Sequence, residues 1–169
     1  GRGMTTLENV EIDSDLLCLK IRNGQHEEDE VINSLRILGI QQRWDEVWNV
    51  SYSLGIEISW IQDAEGTVFV DLGSSGEVRL SAPIGAVLPF RLWIHTHPWA
   101  AYWSFTDRTA LRNFAGLIEV AIVLGHDHWK RSRCQLKMGE PLPDGIDDPL
   151  NMWTDEEIQH YPVNSGVEG

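Results

Sequence analysis

The chain has 169 residues, of which 42% are hydrophobic, and its formal net charge is -13 at pH 7. This length suits one compact domain with a buried core. The acidic surface repels phosphate groups, so neither nucleic acid nor a membrane is expected as a partner, and a basic partner or protein substrate is favoured.

The cysteines and the apolar runs bear on the compartment. Cys18 and Cys134 form no C-x-x-C pair, so we interpret them as buried thiols in a reducing compartment, the cytoplasm. No apolar run approaches the length of about 20 residues that spans a bilayer, and we recognise no signal peptide. We divide the chain into a tag or N-terminal extension at 1–6, one domain at 7–140 and an acidic C-terminal extension at 141–169.

Helical and strand periodicities alternate along the first third of the chain. Residues 16–21 are mostly aliphatic and predict a first strand, and 23–29 predict a turn. Apolar residues at helical spacing then predict helices over 30–39 and 44–55, each closed by a glycine.

The next segment, 56–61, alternates as a strand does. Ile58 and Trp60 are predicted on one face, and Glu57 and Ser59 on the other. The remaining patterns predict strands over 67–71, 77–80, 90–96, 117–124 and 129–138, and helices over 104–115 and 154–160. This order predicts an α/β fold, a single domain with one mixed β-sheet flanked by helices.

Two histidines near the end of the predicted strand 90–96 carry the strongest chemical signal. Positions i and i+2 of a strand face the same side, so the imidazoles of His95 and His97 converge on one point. Asp107, at the start of the next predicted helix, can complete a three-ligand site. Two imidazoles and one carboxylate suit a zinc ion and leave a fourth position for water, as in catalytic zinc sites.

The residues in full are His-Thr-His-Pro at 95–98, five further residues, and Ser-Phe-Thr-Asp at 104–107. This pattern resembles the signature of the JAB/JAMM (MPN+) zinc metallopeptidases: an upstream Glu, His-x-His-Pro and Ser-x-x-Asp. The resemblance covers roughly residues 40–138, although the spacer before the serine is one residue shorter than is usual in that family. It implies a JAB/MPN-like fold, one catalytic Zn²⁺ ion and deubiquitinase-like isopeptidase activity.

The resemblance also requires a glutamate upstream of the histidines. Glu57 is favoured as general base because it lies among apolar residues in a predicted strand, where an unpaired carboxylate is costly. Glu65 and Glu77 flank predicted turns, and Glu46 lies on a predicted helix face. In the implied reaction Glu57 moves the proton from water to the leaving amine, and Ser104 stabilises the developing oxyanion.

Other residues near the motif leave alternatives open. Trp99, Tyr102 and Trp103 either pack over the edge of the site or form a hydrophobic wall that binds the substrate. His126 and His128 are interpreted as exposed polar residues of a turn, with a second zinc site as the alternative.

The expected function is hydrolysis of an isopeptide or peptide bond, which removes or processes a ubiquitin-like modifier on a protein substrate. An activating protein partner is expected to order a loop at 73–89 over the substrate. Two alternatives stay open: a non-catalytic MPN-type interaction module, and a zinc hydrolase of small peptides or amides.

Overall fold

Three helices open the fold in the computed structural model, which describes residues 9–73, 80–141 and 149–162. The predicted strand 77–80 falls, apart from its last residue, outside this part of the chain. The first helices are α1 (Ser14–Arg22), α2 (Glu28–Ile40) and α3 (Trp44–Leu54).

The predicted first strand over 16–21 is wrong, because these residues belong to α1. The side chain of Asp13 caps the helix by accepting a hydrogen bond from the backbone N–H of Leu16 at 3.0 Å. Leu17, Cys18 and Ile21 are buried. Their spacing places one apolar stripe on the core, which is a helical rather than an alternating pattern.

A six-stranded sheet follows, with one helix inserted in its middle. In chain order the elements are β1 (Ile58–Gln62), β2 (Val68–Leu72), β3 (Phe90–Thr96), α4 (Phe105–Asn113), β4 (Ile118–Leu124), β5 (His128–Arg133), a 3-10 helix (Pro149–Met152) and β6 (Gln159–His160). The strand order is β2-β1-β3-β4-β5-β6. Only β3 and β4 pair in parallel among the named strands, and α4 connects them. The predicted mixed sheet flanked by helices is confirmed.

Alternating side chains of the sheet supply two cores. Ile58, Trp60 and Ile94 pack with α1, α2 and α3 on one face. Trp93 packs with Leu111 of α4 on the opposite face. The central strand β3 is therefore covered on both sides, and its odd-numbered positions 93 and 95 face the α4 side.

The buried tryptophans satisfy their indole N–H groups, as the sequence requires. Trp48 donates to the carbonyl of His97, and Trp60 to the carbonyl of Leu35. Trp93 donates to the hydroxyl of Ser59, and Trp153 to the carbonyl of Leu111. Gly39 belongs to α2 rather than ending it. A Cβ at this position would lie 2.2 Å from Nε1 of Trp60, so the glycine lets the helix approach the indole closely.

The end of the described chain packs against the domain. The predicted helix over 154–160 is wrong, since Gln159–His160 pairs with β5 as β6. Met152 and Trp153 are buried beside α4. Residues 149–160 of the predicted C-terminal extension are therefore part of the fold. Within the described ranges no helix is both long and apolar enough to cross a membrane.

Candidate metal centre

The end of β3 and the first turn of α4 bring His95, His97 and Asp107 together. One carboxylate oxygen, Asp107 Oδ2, lies 3.0 Å from His95 Nε2 and 2.8 Å from His97 Nε2. All three residues are buried, and one candidate ligand atom from each lies within 4.8 Å of the other two. The strand alternation and the helix start thus produce the three-residue group that the spacing predicts.

His95 is the member of the group that approaches Asp107 without forming a well-aligned hydrogen bond. Neither of its ring nitrogens makes a hydrogen bond, although both are buried. Its Nε2 is close to Asp107 Oδ2, but the approach does not have hydrogen-bond geometry. A buried polar atom without a partner is costly, and coordination of a metal ion would satisfy this one. Two imidazole nitrogens and one carboxylate oxygen are a donor set suited to zinc and to neighbouring transition metals.

The electrostatics of the group keep Asp107 ionised. Burial alone favours the neutral carboxyl. The nearby imidazoles of His95 and His97 and a hydrogen bond from the backbone N–H of Ser104 outweigh it and hold the pKa of Asp107 well below its usual range. The group therefore presents an anionic oxygen to a cation.

Ser104 begins α4 through a capping box. Its hydroxyl oxygen accepts the backbone N–H of Asp107 at 3.1 Å, and its own backbone N–H donates to Asp107 Oδ2 at 3.0 Å. This reciprocal arrangement fixes the first turn of the helix. The serine thus orients the candidate carboxylate ligand, whichever role its hydroxyl has towards a substrate.

The variant Ser104→Ala should lose about 1 kcal/mol of stability because a helix cap disappears. We expect the melting temperature of the metal-free protein to fall by about 2–4 °C in a thermal unfolding experiment. Ser104→Thr, which keeps a capping hydroxyl, is the matched control and should melt close to the parent. An alanine variant as stable as the threonine variant would show that the cap contributes nothing.

The histidines are held by residues that the sequence did not identify. The ring of His95 stacks on Trp93, with centroids 4.2 Å apart and planes 15° apart. The carbonyl of His97 accepts the indole N–H of the buried Trp48 at 2.8 Å. Trp93 lies two residues before His95 on the same face of β3, so strand alternation could have identified it, whereas Trp48 comes from α3 and needs the assembled fold.

Glu57 lies directly before β1, which begins at Ile58, whereas the predicted strand 56–61 includes it. Ser59 pairs with His95 in the antiparallel register of β1 and β3, and continuing that register by two residues places Glu57 opposite His97. Both residues line one cleft of about 320 Å³ between α3 and β3. Glu57 and His97, one of the metal-ligand candidates, therefore share the lining of this cleft.

Two buried hydroxyls fix the backbone on either side of Glu57. Ser51 Oγ donates to Ile56 O at 2.6 Å and lies 2.7 Å from Thr96 Oγ1. Thr96 Oγ1 in turn accepts the N–H of Ile58 at 3.0 Å. Since Ser51 uses its only proton on Ile56, Thr96 donates to Ser51, and the chain of hydrogen bonds ties α3 and β3 to this backbone segment.

The other glutamates weighed from the sequence lie elsewhere. Glu46 pairs with Arg43 and accepts the hydroxyl of Ser14 at 2.6 Å, so it connects α1 to α3. Glu65 is exposed in the turn between β1 and β2. Glu77 lies outside the described residues.

The three aromatic residues of the connecting loop divide into two groups. The rings of Tyr102 and His97 are 4.7 Å apart, and those of Trp103 and His95 are 5.9 Å apart. Trp103 is partly buried, whereas 54% of Tyr102 is exposed. Trp99 is also exposed and does not contact the ligand candidates in this way; it stacks on His126 at 4.1 Å.

The group at His95, His97 and Asp107 is the one set of three clustered metal-ligand side chains in the described ranges. His126 and His128 belong to no such set there. His126 is exposed in the turn as predicted, but the interpretation of His128 as an exposed turn residue is wrong, because it is partly buried and begins β5. A comparison of the chain with protein-family models, curated proteins and solved structures finds no significant match. Function must therefore be argued from the site itself.

Proposed function

We propose that this protein is a zinc metallopeptidase of the JAB/JAMM (MPN+) type with a JAB/MPN-like fold. The observation that carries the proposal is the buried group of His95, His97 and Asp107, in which one imidazole has no hydrogen-bond partner. The His-x-His-Pro and Ser-x-x-Asp pattern supports it from the sequence. The two free cysteines, Cys18 and Cys134, fit a reducing compartment such as the cytoplasm.

The proposed chemistry distributes three tasks among the residues of the site. When bound by the two histidines and the aspartate, zinc supplies a Lewis acid that polarises a carbonyl and acidifies water. Glu57 accepts the proton of the attacking water and returns it to the leaving amine. Ser104 orients Asp107 through its cap and donates its hydroxyl to the developing oxyanion.

The cleft and the exposed aromatic residues support a peptide-like substrate. The walls of the cleft between α3 and β3 include Tyr52, Ile56 and Pro98, and its polar lining includes Glu57 and His97. Tyr102 and Trp99 are exposed nearby. We infer that the substrate is a protein whose isopeptide or peptide bond joins a ubiquitin-like modifier, with an extended tail held along these apolar side chains. An activating partner that binds over the segment 73–89, of which 74–79 lie outside the described residues, is part of the same proposal.

The test compares three substrates at equal zinc concentration: a ubiquitin-like protein joined to a lysine peptide by an isopeptide bond, a linear fusion of the same modifier, and a set of dipeptides. We expect release of the modifier, loss of that activity with a chelator, and its return with zinc. Cleavage of dipeptides alone would replace the proposal with a small-peptide hydrolase. A zinc-loaded protein that cleaves none of them would instead favour a non-catalytic interaction module.

A further inference from the structure

Residues 98–103 connect the histidine strand β3 to α4 without helix or strand structure of their own. They carry two of the rings that contact the ligand candidates, Tyr102 against His97 and Trp103 against His95. The next residue begins the capping box of α4. The position of this loop therefore determines part of the surroundings of the candidate metal centre, beside the contacts of Trp93 and Trp48.

The turn between β4 and β5 holds the middle of that loop. The backbone N–H of Ala101 donates to His128 Nε2 at 2.9 Å, and the backbone N–H of His126 donates to Trp99 O at 2.7 Å. A Cβ on Gly125 would lie 2.7 Å from both Ala101 N and Trp99 O. The turn and the loop thus pack backbone against backbone, with a histidine ring as one of the acceptors.

The two hydrogen bonds of the His128 ring define which of its nitrogens carries the proton. Nδ1 lies 2.6 Å from Asp127 Oδ1, and an ionised carboxylate only accepts hydrogen bonds. The donation from His128 lowers the pKa of Asp127, which keeps that carboxylate ionised. Nδ1 therefore bears the hydrogen, and Nε2 offers its lone pair to Ala101.

The hydrogen bond between Ala101 and His128 is shielded from water, and the turn beside it is held by a further hydrogen bond. Ala101 is only 4% exposed, so its N–H has little access to water as an alternative acceptor. The hydroxyl of Tyr161, from the end of the described chain, donates to Gly125 O at 2.8 Å. His160 of β6 lies opposite His128 through backbone strand pairing, and its side chain is exposed.

We propose that His128 is a positioning residue of the candidate metal centre: its neutral, Nδ1-protonated ring accepts the Ala101 N–H and holds the loop 98–103 against His95 and His97. The contact with Ala101 stands without any metal. Its effect on zinc affinity rests on the proposed metal site.

The same geometry argues against a second zinc site at this turn. A metal ligand at His128 needs a free ring nitrogen, but Nε2 already accepts Ala101 N–H and Nδ1 donates to Asp127. Within the described ranges, no cluster of three metal-ligand side chains includes His126 or His128.

The first experiment records the ring nitrogens of the histidines in metal-free protein by ¹⁵N nuclear magnetic resonance. We expect His128 in the neutral Nδ1–H tautomer and a slowly exchanging Ala101 amide. We expect that amide to lose its protection in His128→Leu. The opposite tautomer, or an Ala101 amide that does not respond to the leucine variant, would overturn the proposal.

The second experiment measures zinc affinity by competition with a chromophoric chelator. His128→Leu should bind zinc about tenfold more weakly, as is common when an outer support of a metal site is removed. His128→Gln places a carbonyl oxygen where Nε2 lies and should restore affinity close to the parent. The matched control, His160→Gln, changes the exposed cross-strand neighbour and should have no effect.

Equal losses in His128→Gln and His128→Leu would overturn the proposal, because the ring would then serve only to fill space. Unchanged zinc affinity in the leucine variant would also contradict it. If the parent binds no zinc, the proposed function fails, and the tautomer measurement still decides whether His128 holds the loop.

Discussion

Glu57→Gln should retain zinc and lose turnover of the isopeptide substrate by about 10²–10⁴-fold, the range for removal of a general acid-base group. The glutamine keeps the size of the side chain in the cleft between α3 and β3 but cannot take a proton from water. The backbone on either side is fixed by Ser51 and Thr96, so the exchange should leave the fold unchanged. Turnover and zinc content are measured on the same sample.

The control for this variant is Glu65→Gln. This glutamate is exposed in the turn between β1 and β2, so we expect normal zinc content and normal turnover. If Glu57→Gln keeps full activity with full zinc, another residue moves the proton. If it loses zinc together with activity, Glu57 acts on the metal site rather than on the proton.

Asp107→Asn should weaken zinc binding by more than about a hundredfold, because it removes a group that would bind the metal directly. Even the loss of a residue that only supports a ligand commonly lowers metal affinity by about 10–100-fold. The asparagine oxygen can still accept the backbone N–H of Ser104, so the start of α4 should be retained. This variant therefore separates the charge of the ligand from the helix cap.

Thermal unfolding gives a second measure of the same loss. Zinc at about 100 times its dissociation constant stabilises the folded parent by about 2.7 kcal/mol and should raise its melting temperature by about 5–11 °C. Asp107→Asn at that zinc concentration should gain only about 1–2 °C. The matched control is Asp45→Asn, an exposed aspartate in the first turn of α3, which should respond to zinc as the parent does.

The candidate site was predictable because its positions follow from local geometry. His95 and His97 face one side of β3 through strand alternation, and Asp107 lies in the first turn of α4 through a capping box that is visible in the sequence. The strand at 117–124 was predictable because it is a nearly continuous aliphatic run, and the strand at 90–96 because its apolar residues precede the proline at 98.

The errors arise where short patterns carry little information. The run 16–21 is too short for periodicity to separate a helix from a strand, and the cap at Asp13 together with packing decides for α1. Strand β6 has two residues and forms only because β5 offers an edge.

The role of His128 could not be predicted from the sequence for a different reason. Its partner Ala101 is 27 residues away, and the bond depends on two loops meeting beside the sheet. Trp48 supports His97 over a still larger separation, 49 residues along the chain. Spacing rules find side chains that converge through one strand or helix, whereas these contacts need the assembled fold.

Metal stoichiometry is the most direct test of the central claim. The purified chain is saturated with zinc, freed of unbound metal and analysed by elemental mass spectrometry, beside a variant carrying His95→Ala and His97→Ala. We expect one zinc per parent chain and almost none in the double variant. A parent that retains no zinc, or a double variant that retains as much as the parent, would contradict the account.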